Sequence, residues 1–313
     1  MDARGHRRRR VGCVGALTYP GCVPDSELLD QTTITGSLSP SRAGDFKTCP
    51  LLYRFRSVDR LPEKPSVAAA RGTVVHAVLE KLFDLPRDER TPETAQQMVG
   101  PAWSELLRED PSLGELFGQD EAEELGAWLT SAKKLVGRYF ELEDPRRFDP
   151  SGREQLVQTV LDDGLLLRGY VDRLDTAPDG RVRVVDYKTG AAPREAFEGK
   201  ALFQMKFYAL VMWRTTGTIP SQLKLMYLAD RDELTYSPEQ SELERLERQL
   251  RALWGAIEKA ISVKEFRPNP SRLCDWCDHK ALCPAFGGTP PPFPDEHALD
   301  FTINRRTERP TAD

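Results

Sequence analysis

The sequence predicts an α/β domain in which a helical part precedes a small mixed sheet flanked by helices. Three observations carry that prediction. Apolar residues recur at three- and four-residue steps across residues 68–85 and again from Leu125 to Phe140. Beyond Pro145 the pattern changes to three short runs rich in Val, Leu and Tyr. Helix, strand, strand and helix patterns then follow one another to about residue 263.

Between residues 38 and 61, Ser39-Pro40-Ser41 followed by Phe46, Cys49-Pro50, Leu52-Tyr53 and Phe55 reads as one capped helix with an aromatic side, and Pro40 suits its first position. Val75, Val78, Leu79, Leu82 and Phe83 mark a second helix. Residues 86–120 are polar and punctuated by proline, and they lead into a long amphipathic helix carrying Leu125, Trp128, Leu129, Leu135, Val136, Tyr139 and Phe140. Residues 154–161, 165–175 and 181–188 are expected to form an antiparallel three-stranded meander, the last two joined by the turn signal Ala177-Pro178-Asp179-Gly180. A helix is expected over 200–214, strands over 222–228 and 234–236, a charged helix over 241–263, and a cysteine-bearing loop over 266–286.

The chain has 313 residues, 39% of them hydrophobic, a net charge of -5 and a mean hydropathy of -0.51. No apolar run approaches the roughly 18 residues of a membrane span, and no membrane partner is expected. The acidic balance argues against a protein that coats nucleic acid through a general positive field, while leaving room for a local basic groove. Arg7 to Arg10 before a short apolar stretch imitates a secretion signal. Two glycines and the early Pro20 and Pro24 favour a disordered basic leader instead. Six cysteines without a convincing signal point to a reducing, cytoplasmic compartment and to metal or redox use of some of them.

The chemistry centres on Gly169-Tyr170-Val171-Asp172 and Val184-Val185-Asp186-Tyr187-Lys188. Asp186 and Lys188 are two apart on a strand and share a face. If the hairpin is centred on Asp179, residues whose numbers sum to 358 are opposite, which sets Asp172 against Asp186. That register requires an odd-length loop or a bulge, because a two-residue turn would shift it by one. Paired carboxylates call for a hard cation such as Mg²⁺ or Mn²⁺, and a neighbouring lysine can orient or deprotonate water; together they suit phosphodiester hydrolysis. As isolated residues, Asp172, Arg173 and Asp175 would read as exposed strand charges and Lys188 as a solvated turn residue. On the second helix Gly72, His76 and Glu80 fall four apart, so His76 can offer a nitrogen beside a glycine that leaves room. Gln204 and Tyr208 repeat that spacing and are candidates to hold a DNA phosphate or the scissile strand.

Cys274-x2-Cys277-x5-Cys283 is a tight triplet, and Cys49 precedes it by 225 residues. Cys49 and Cys283 are each followed by proline. A ligand set so divided would staple the first helix to the last loop. Four thiolates suit an iron-sulfur cluster or a tetrahedral Zn²⁺, and spacing alone leaves both open. Cys13 and Cys22 have no assigned role. Lys264, Arg267 and Arg272, with Trp276, Phe266 and His279, are expected to form a rim that grips single-stranded DNA by charge and stacking, and the aromatics also to shield the metal group from water.

In order along the chain, Gly72 to His76, Gly169 to Asp172, Asp186 to Lys188 and Gln204 to Tyr208 resemble the GxxxH, GxxD, DxK and QxxxY motifs of the RecB-like branch of the PD-(D/E)XK nucleases. The likeness spans residues 38–286 and extends to the CRISPR adaptation nucleases and the nuclease part of AddB. It implies a restriction-endonuclease-like core at 37–286: a helical part (37–145), a catalytic sheet and helix (150–236), and a C-terminal helix with the cysteine loop (241–286). Residues 1–36 and 287–313 are expected as disordered leader and tail. It further implies Mg²⁺ or Mn²⁺ bound by His76, Asp172, Asp186 and the Tyr187 carbonyl, with Lys188 assisting water and Glu154 as an additional acid. Cys49, Cys274, Cys277 and Cys283 are implied to hold a 4Fe-4S cluster, with Zn²⁺ as the alternative.

The expected activity is exonucleolytic cleavage of single-stranded DNA ends in repair or recombination. Spacer trimming in CRISPR adaptation and a non-catalytic DNA-binding module are the competing readings. With no Walker-type loop in the sequence, any unwinding would fall to a helicase or repair partner.

Overall fold

The computed structural model describes residues 34–118, 121–192 and 198–294. Most of the expected leader, with Cys13 and Cys22, and the tail from residue 295 lie outside these residues. The described residues open on β1 (Gly36–Leu38), then α1 (Pro40–Thr48), α2 (Pro50–Tyr53) and a π-helical turn over Arg54–Val58. The single helix expected here is therefore broken. Cys49 is extended (φ -160°), ending α1 and preceding α2, whose Pro50 has no N–H to continue the ladder. Ser39 caps α1 by accepting from the Arg42 N–H at 3.2 Å.

Next come α3 (Val67–Leu82), α4 (Pro92–Gln97), α5 (Val99–Glu109) and α6 (Glu121–Leu142). The stretch expected to be merely polar thus contains two helices. Thr91, accepting from the Thr94 N–H, and Pro92 start α4. The meander follows as expected, with β2 (Gly152–Val160), β3 (Leu165–Thr176) and β4 (Val182–Lys188), then α7 (Glu198–Thr216), β5 (Gln222–Tyr227), β6 (Asp232–Tyr236) and α8 (Gln240–Ser262). Short 3₁₀ turns carry the cysteine loop. Among the described residues no helix is long and apolar enough to cross a membrane.

The six strands form one mixed sheet in the order β1-β3-β4-β5-β6, with β2 on β3. Along β3, Leu166 and Leu167 pair with both β1 and β2, and Arg173 and Leu174 pair with both β2 and β4. A strand has only two edges, so β1 and β4 share the edge opposite β2, and residues 168–172 lie between them without a ladder partner on that edge. The sheet forks at Asp172.

Two cores cover the sheet. Val184 faces the one built with α7 and α8, while its neighbour Val185 faces the one built with α3 to α6, as period-two alternation requires. The first core takes from α8 the stripe Leu243, Leu246, Leu250, Trp254, Ile257 and Ile261, at helical spacing. The chain after the cysteine loop packs back on the fold as far as residue 294: Phe293 stacks on Phe266 at 6.0 Å and the Pro291 carbonyl accepts from Arg54 Nη2 at 2.6 Å.

Candidate active site

The hairpin register is the one the 358 sum predicts: Arg173 opposes Val185, Leu174 opposes Val184 and Thr176 opposes Val182. The loop is odd-length. Ala177 N–H donates to the Arg181 carbonyl at 2.9 Å, closing three residues, of which Gly180 takes φ +85°. Where the next pair, Asp172 and Asp186, would stand, the ladder gives way to a side-chain bond: the Tyr187 N–H donates to Asp172 Oδ2 at 2.7 Å.

Across β2 and β3, paired residues sum to 326, and the ladder skips Glu154 against Asp172. Glu154 has φ +42°, a left-handed conformation uncommon for a residue with a Cβ. Alternation breaks at the same place, since Val171 and Leu174, three apart, both join the α7-side core. This kink brings the Glu154 and Asp172 carboxylates together under α3, where His76 waits. His76 Nδ1 is 3.5 Å from Asp172 Oδ2 and 3.8 Å from Glu154 Oε1, and its Nε2–H donates to the Tyr187 carbonyl at 2.9 Å.

One ligand atom each from His76, Glu154 and Asp172 lies within 4.8 Å of the others. Burial alone would lower the His76 pKa, but its bonds to Asp172 and Glu154 outweigh that and raise it to about 10. The donor set, one imidazole, two carboxylates and a nearby carbonyl, suits a hard divalent cation.

Beside this cluster sits a second one. Asp186 is buried, with Oδ2 2.6 Å from Lys188 Nζ and Oδ1 accepting from Gln204 Nε2 at 2.9 Å. Gln204 Oε1 in turn accepts from Lys188 Nζ at 2.9 Å, and Gln204 Nε2 also donates to the Tyr208 hydroxyl at 2.9 Å. Burial and then the Asp172 charge raise the Asp186 pKa to about 6, against the pull of Lys188 and His76. Gln204 and Tyr208, expected to face DNA, are thus tied to the acid and the lysine, and Tyr208 is only 4% exposed. Gly169 makes room for it, since a Cβ at 169 would lie 2.6 Å from Tyr208 Cε1. Gly72 borders Thr189: a Cβ there would lie 3.4 Å from the Thr189 hydroxyl.

Sequence reasoning missed the support behind Asp172. Arg173, which reads as a surface charge, is 1% exposed. It pairs with Glu143 and with Asp175 (3.1 Å), donates to the Tyr187 hydroxyl at 2.7 Å, and lies 4.9 Å from the Phe148 ring. Residue type gave no signal, since Glu143 stands beside Glu141 and Asp144 at the end of that helix and reads as one of three exposed acids.

The four cysteines line one cavity, with Leu51, Phe55 and Pro268 among its walls. Asn269 N–H donates to Cys49 Sγ and Ser271 N–H to Cys274 Sγ, both at 3.3 Å. No three of these thiols lie within 4.8 Å of one another. Tetrahedral zinc, with Zn–S of about 2.3 Å, needs sulfurs about 3.8 Å apart. Of the expected rim, Phe266 and His279 are buried, His279 against Glu63 (3.2 Å), whereas Trp276 is 79% exposed.

Comparison with known proteins adds an independent line. A model of the family described as the PD-(D/E)XK nuclease superfamily matches residues 37–284. The chain is 25% identical over 272 residues to the Gene 69 protein of Mycobacterium phage D29, covering 79% of this chain and 96% of that protein. It is 22% identical over 296 residues to the Gene 69 protein of Mycobacterium phage L5, covering 83% and 100%. A crystal structure from Eubacterium rectale, named "Putative exonuclease", superposes with a TM-score of 0.52 at 16% identity, covering 78% of this chain and 88% of that one; at that identity the likeness is one of fold.

Proposed function

This chain belongs to the PD-(D/E)XK nuclease superfamily, and on that premise we propose that it is a Mg²⁺- or Mn²⁺-dependent deoxyribonuclease of the RecB-like branch, an exonuclease acting on single-stranded DNA ends in repair or recombination. The observation that carries this reading is the convergence of His76, Glu154 and Asp172 within 4.8 Å, beside the Tyr187 carbonyl and the Asp186–Lys188 pair. His76, Asp172, Asp186 and the Tyr187 carbonyl would hold the cation, with Glu154, whose carboxylate converges on His76 and Asp172, as an additional acid.

When bound, the metal supplies Lewis acidity at the phosphorus centre and an acidified water. The chain's own contribution is positional and electrostatic. Asp186 and Gln204 fix the Lys188 ammonium from two sides, so it enters the reaction aimed, opposing the charge that grows on the phosphate and able to exchange a proton with water. Tyr208 steadies Gln204 from its buried place in the α7-side core.

Cys49, Cys274, Cys277 and Cys283 would hold a 4Fe-4S cluster, with Zn²⁺ as the alternative; in support, the four line one largely apolar cavity and two of them accept backbone N–H bonds of the kind that tune cluster thiolates. The cluster would act as a structural clasp.

The test is anaerobic purification followed by digestion of end-labelled single-stranded DNA with Mg²⁺ or Mn²⁺. Wild-type protein is expected to shorten the strand from an end, and Asp186→Ala and Lys188→Ala to be inactive. Wild-type activity no greater than that of the variants ends the enzyme reading. Iron and sulfide analysis of the same sample decides the clasp, with one zinc per chain overturning the cluster.

A further inference from the structure

Tyr170 is 52% exposed and lies at the fork of the sheet, where β3 is paired with β2 alone. A buried tyrosine covers roughly 150–250 Å², so an open ring in a paired strand leaves a large apolar face to a ligand. Its neighbour Val171 is fully buried in the α7-side core, so Tyr170 projects from the opposite face, the one on which α3 carries His76. Among the described residues that face is left half open at Tyr170.

The placement follows from register. Tyr170 is paired with Leu156, one step of two residues from the position where Asp172 meets Glu154. A step of two strand residues is about 7 Å. The open ring therefore stands next to the candidate metal ligands, on their side of the sheet. In the other direction the path is closed, because Arg173 is buried beneath Phe148 and Phe83. A strand whose phosphate lies at His76, Glu154 and Asp172 has its way out over Tyr170.

We propose that Tyr170 is a base-stacking platform that seats the nucleotide adjacent to the scissile phosphate and gives the site its preference for single strands. This rests on the nuclease reading for the position of the phosphate. Only an unpaired base can offer its face to a side chain without first leaving a helical stack, so the platform rewards single-stranded DNA and not duplex.

Binding of a single-stranded oligonucleotide carrying 2-aminopurine at its end, followed by fluorescence quenching, reads stacking whether or not the strand is cut. Wild type is expected to quench the probe. Tyr170→Ala should weaken binding roughly ten- to hundredfold and abolish the quench, while Tyr170→Phe and Tyr170→Trp keep both. Equal affinity and equal quenching in wild type and Tyr170→Ala overturn the proposal even if the protein digests DNA. If no DNA is cut by the wild type, the nuclease reading fails, while quenching that requires an aromatic at 170 would still support a stacking platform. Retained thermal unfolding in the three variants separates a lost platform from a lost fold.

Discussion

The Tyr187 peptide joins two candidate ligands from different elements: its N–H donates to Asp172 Oδ2 at 2.7 Å, and its carbonyl accepts from His76 Nε2 at 2.9 Å. The ring of the same residue is held by Arg173, the chain neighbour of Asp172. Removing only the hydroxyl, in Tyr187→Phe, should cost about 1–3 kcal/mol by leaving a charged donor short of one partner. It should also raise the Mn²⁺ concentration needed for half-maximal activity, because the peptide that orders the ligands loses its anchor. Thermal unfolding and a metal titration check this. An unchanged titration with a lowered Tm would leave Tyr187 a purely structural residue.

Glu143 supplies the counter-charge for buried Arg173. Burial would raise its pKa, but the bond and charge of Arg173 win and hold it below the ordinary 4.5. A depressed carboxyl contributes stability that is present above 4.5 and is lost as pH falls through the folded value. Glu143→Gln should cost about 3–5 kcal/mol at neutral pH by leaving the arginine underpaired. The wild-type advantage should shrink on acidification below 4.5, as chemical denaturation at several pH values would reveal; a constant difference across that range would contradict it.

Asp186 works against stability. Its pKa is raised from 3.8 to about 6, so the stability linked to its protonated form is full below 3.8 and gone once pH passes 6. In metal-free protein at pH 7, Asp186→Asn should unfold at a temperature higher by a few degrees, corresponding to roughly 1–3 kcal/mol. At a pH below 3.8 the gain should vanish. Nuclease activity should fall roughly a hundredfold or more, since the neutral amide no longer fixes Lys188 as an ion pair. A variant less stable than wild type at pH 7 would argue that Asp186 is there for the fold.

Much of this site was legible in sequence because it depends on spacing. The 358 register, the shared face of Asp186 and Lys188 and the four-residue step from Gln204 to Tyr208 all follow from strand and helix periods. Other features depend on long-range geometry. The kink at Glu154 and Asp172 needs φ +42° at a glutamate, which residue type does not announce. β1 is three residues long and exists only because β3 offers it an edge, and α4 and α5 gain their stability from tertiary packing that a polar, proline-rich text conceals. Arg173 was misread because an arginine in an alternating strand is ordinarily solvated, and its burial is decided by Glu143, 30 residues earlier.

Gly169 tests whether the close fit of β3 and α7 matters. A methyl group there would meet Tyr208 Cε1 at 2.6 Å and Pro40 Cδ at 3.5 Å, and Tyr208 is too buried to swing aside freely. Gly169→Ala should therefore cost about 1–3 kcal/mol and displace Tyr208, releasing Gln204 from Asp186 and Lys188. Activity should fall further than in Tyr208→Phe, which keeps the ring and loses only the hydroxyl bond. Similar activity in the two variants would mean that the ring's position is not transmitted to Lys188.

Cys49 and the cysteine loop are 225 residues or more apart in sequence, yet Asn269 bonds both Cys49 Sγ and the Thr48 carbonyl. Everything at the site, from His76 to Tyr208, lies inside the loop that this contact closes. Closing so long a loop removes entropy from the unfolded chain far more than it alters the folded one, and a metal group bound there adds its binding free energy to folding. Cys49→Ala should accordingly lower Tm substantially and speed loss of activity on warming. Protein kept cold and folded should retain its cleavage rate if the clasp acts through the chain it closes. A variant with normal Tm, or one folded yet inactive in the cold, would show that the thiol acts on the site directly and not through the chain it closes.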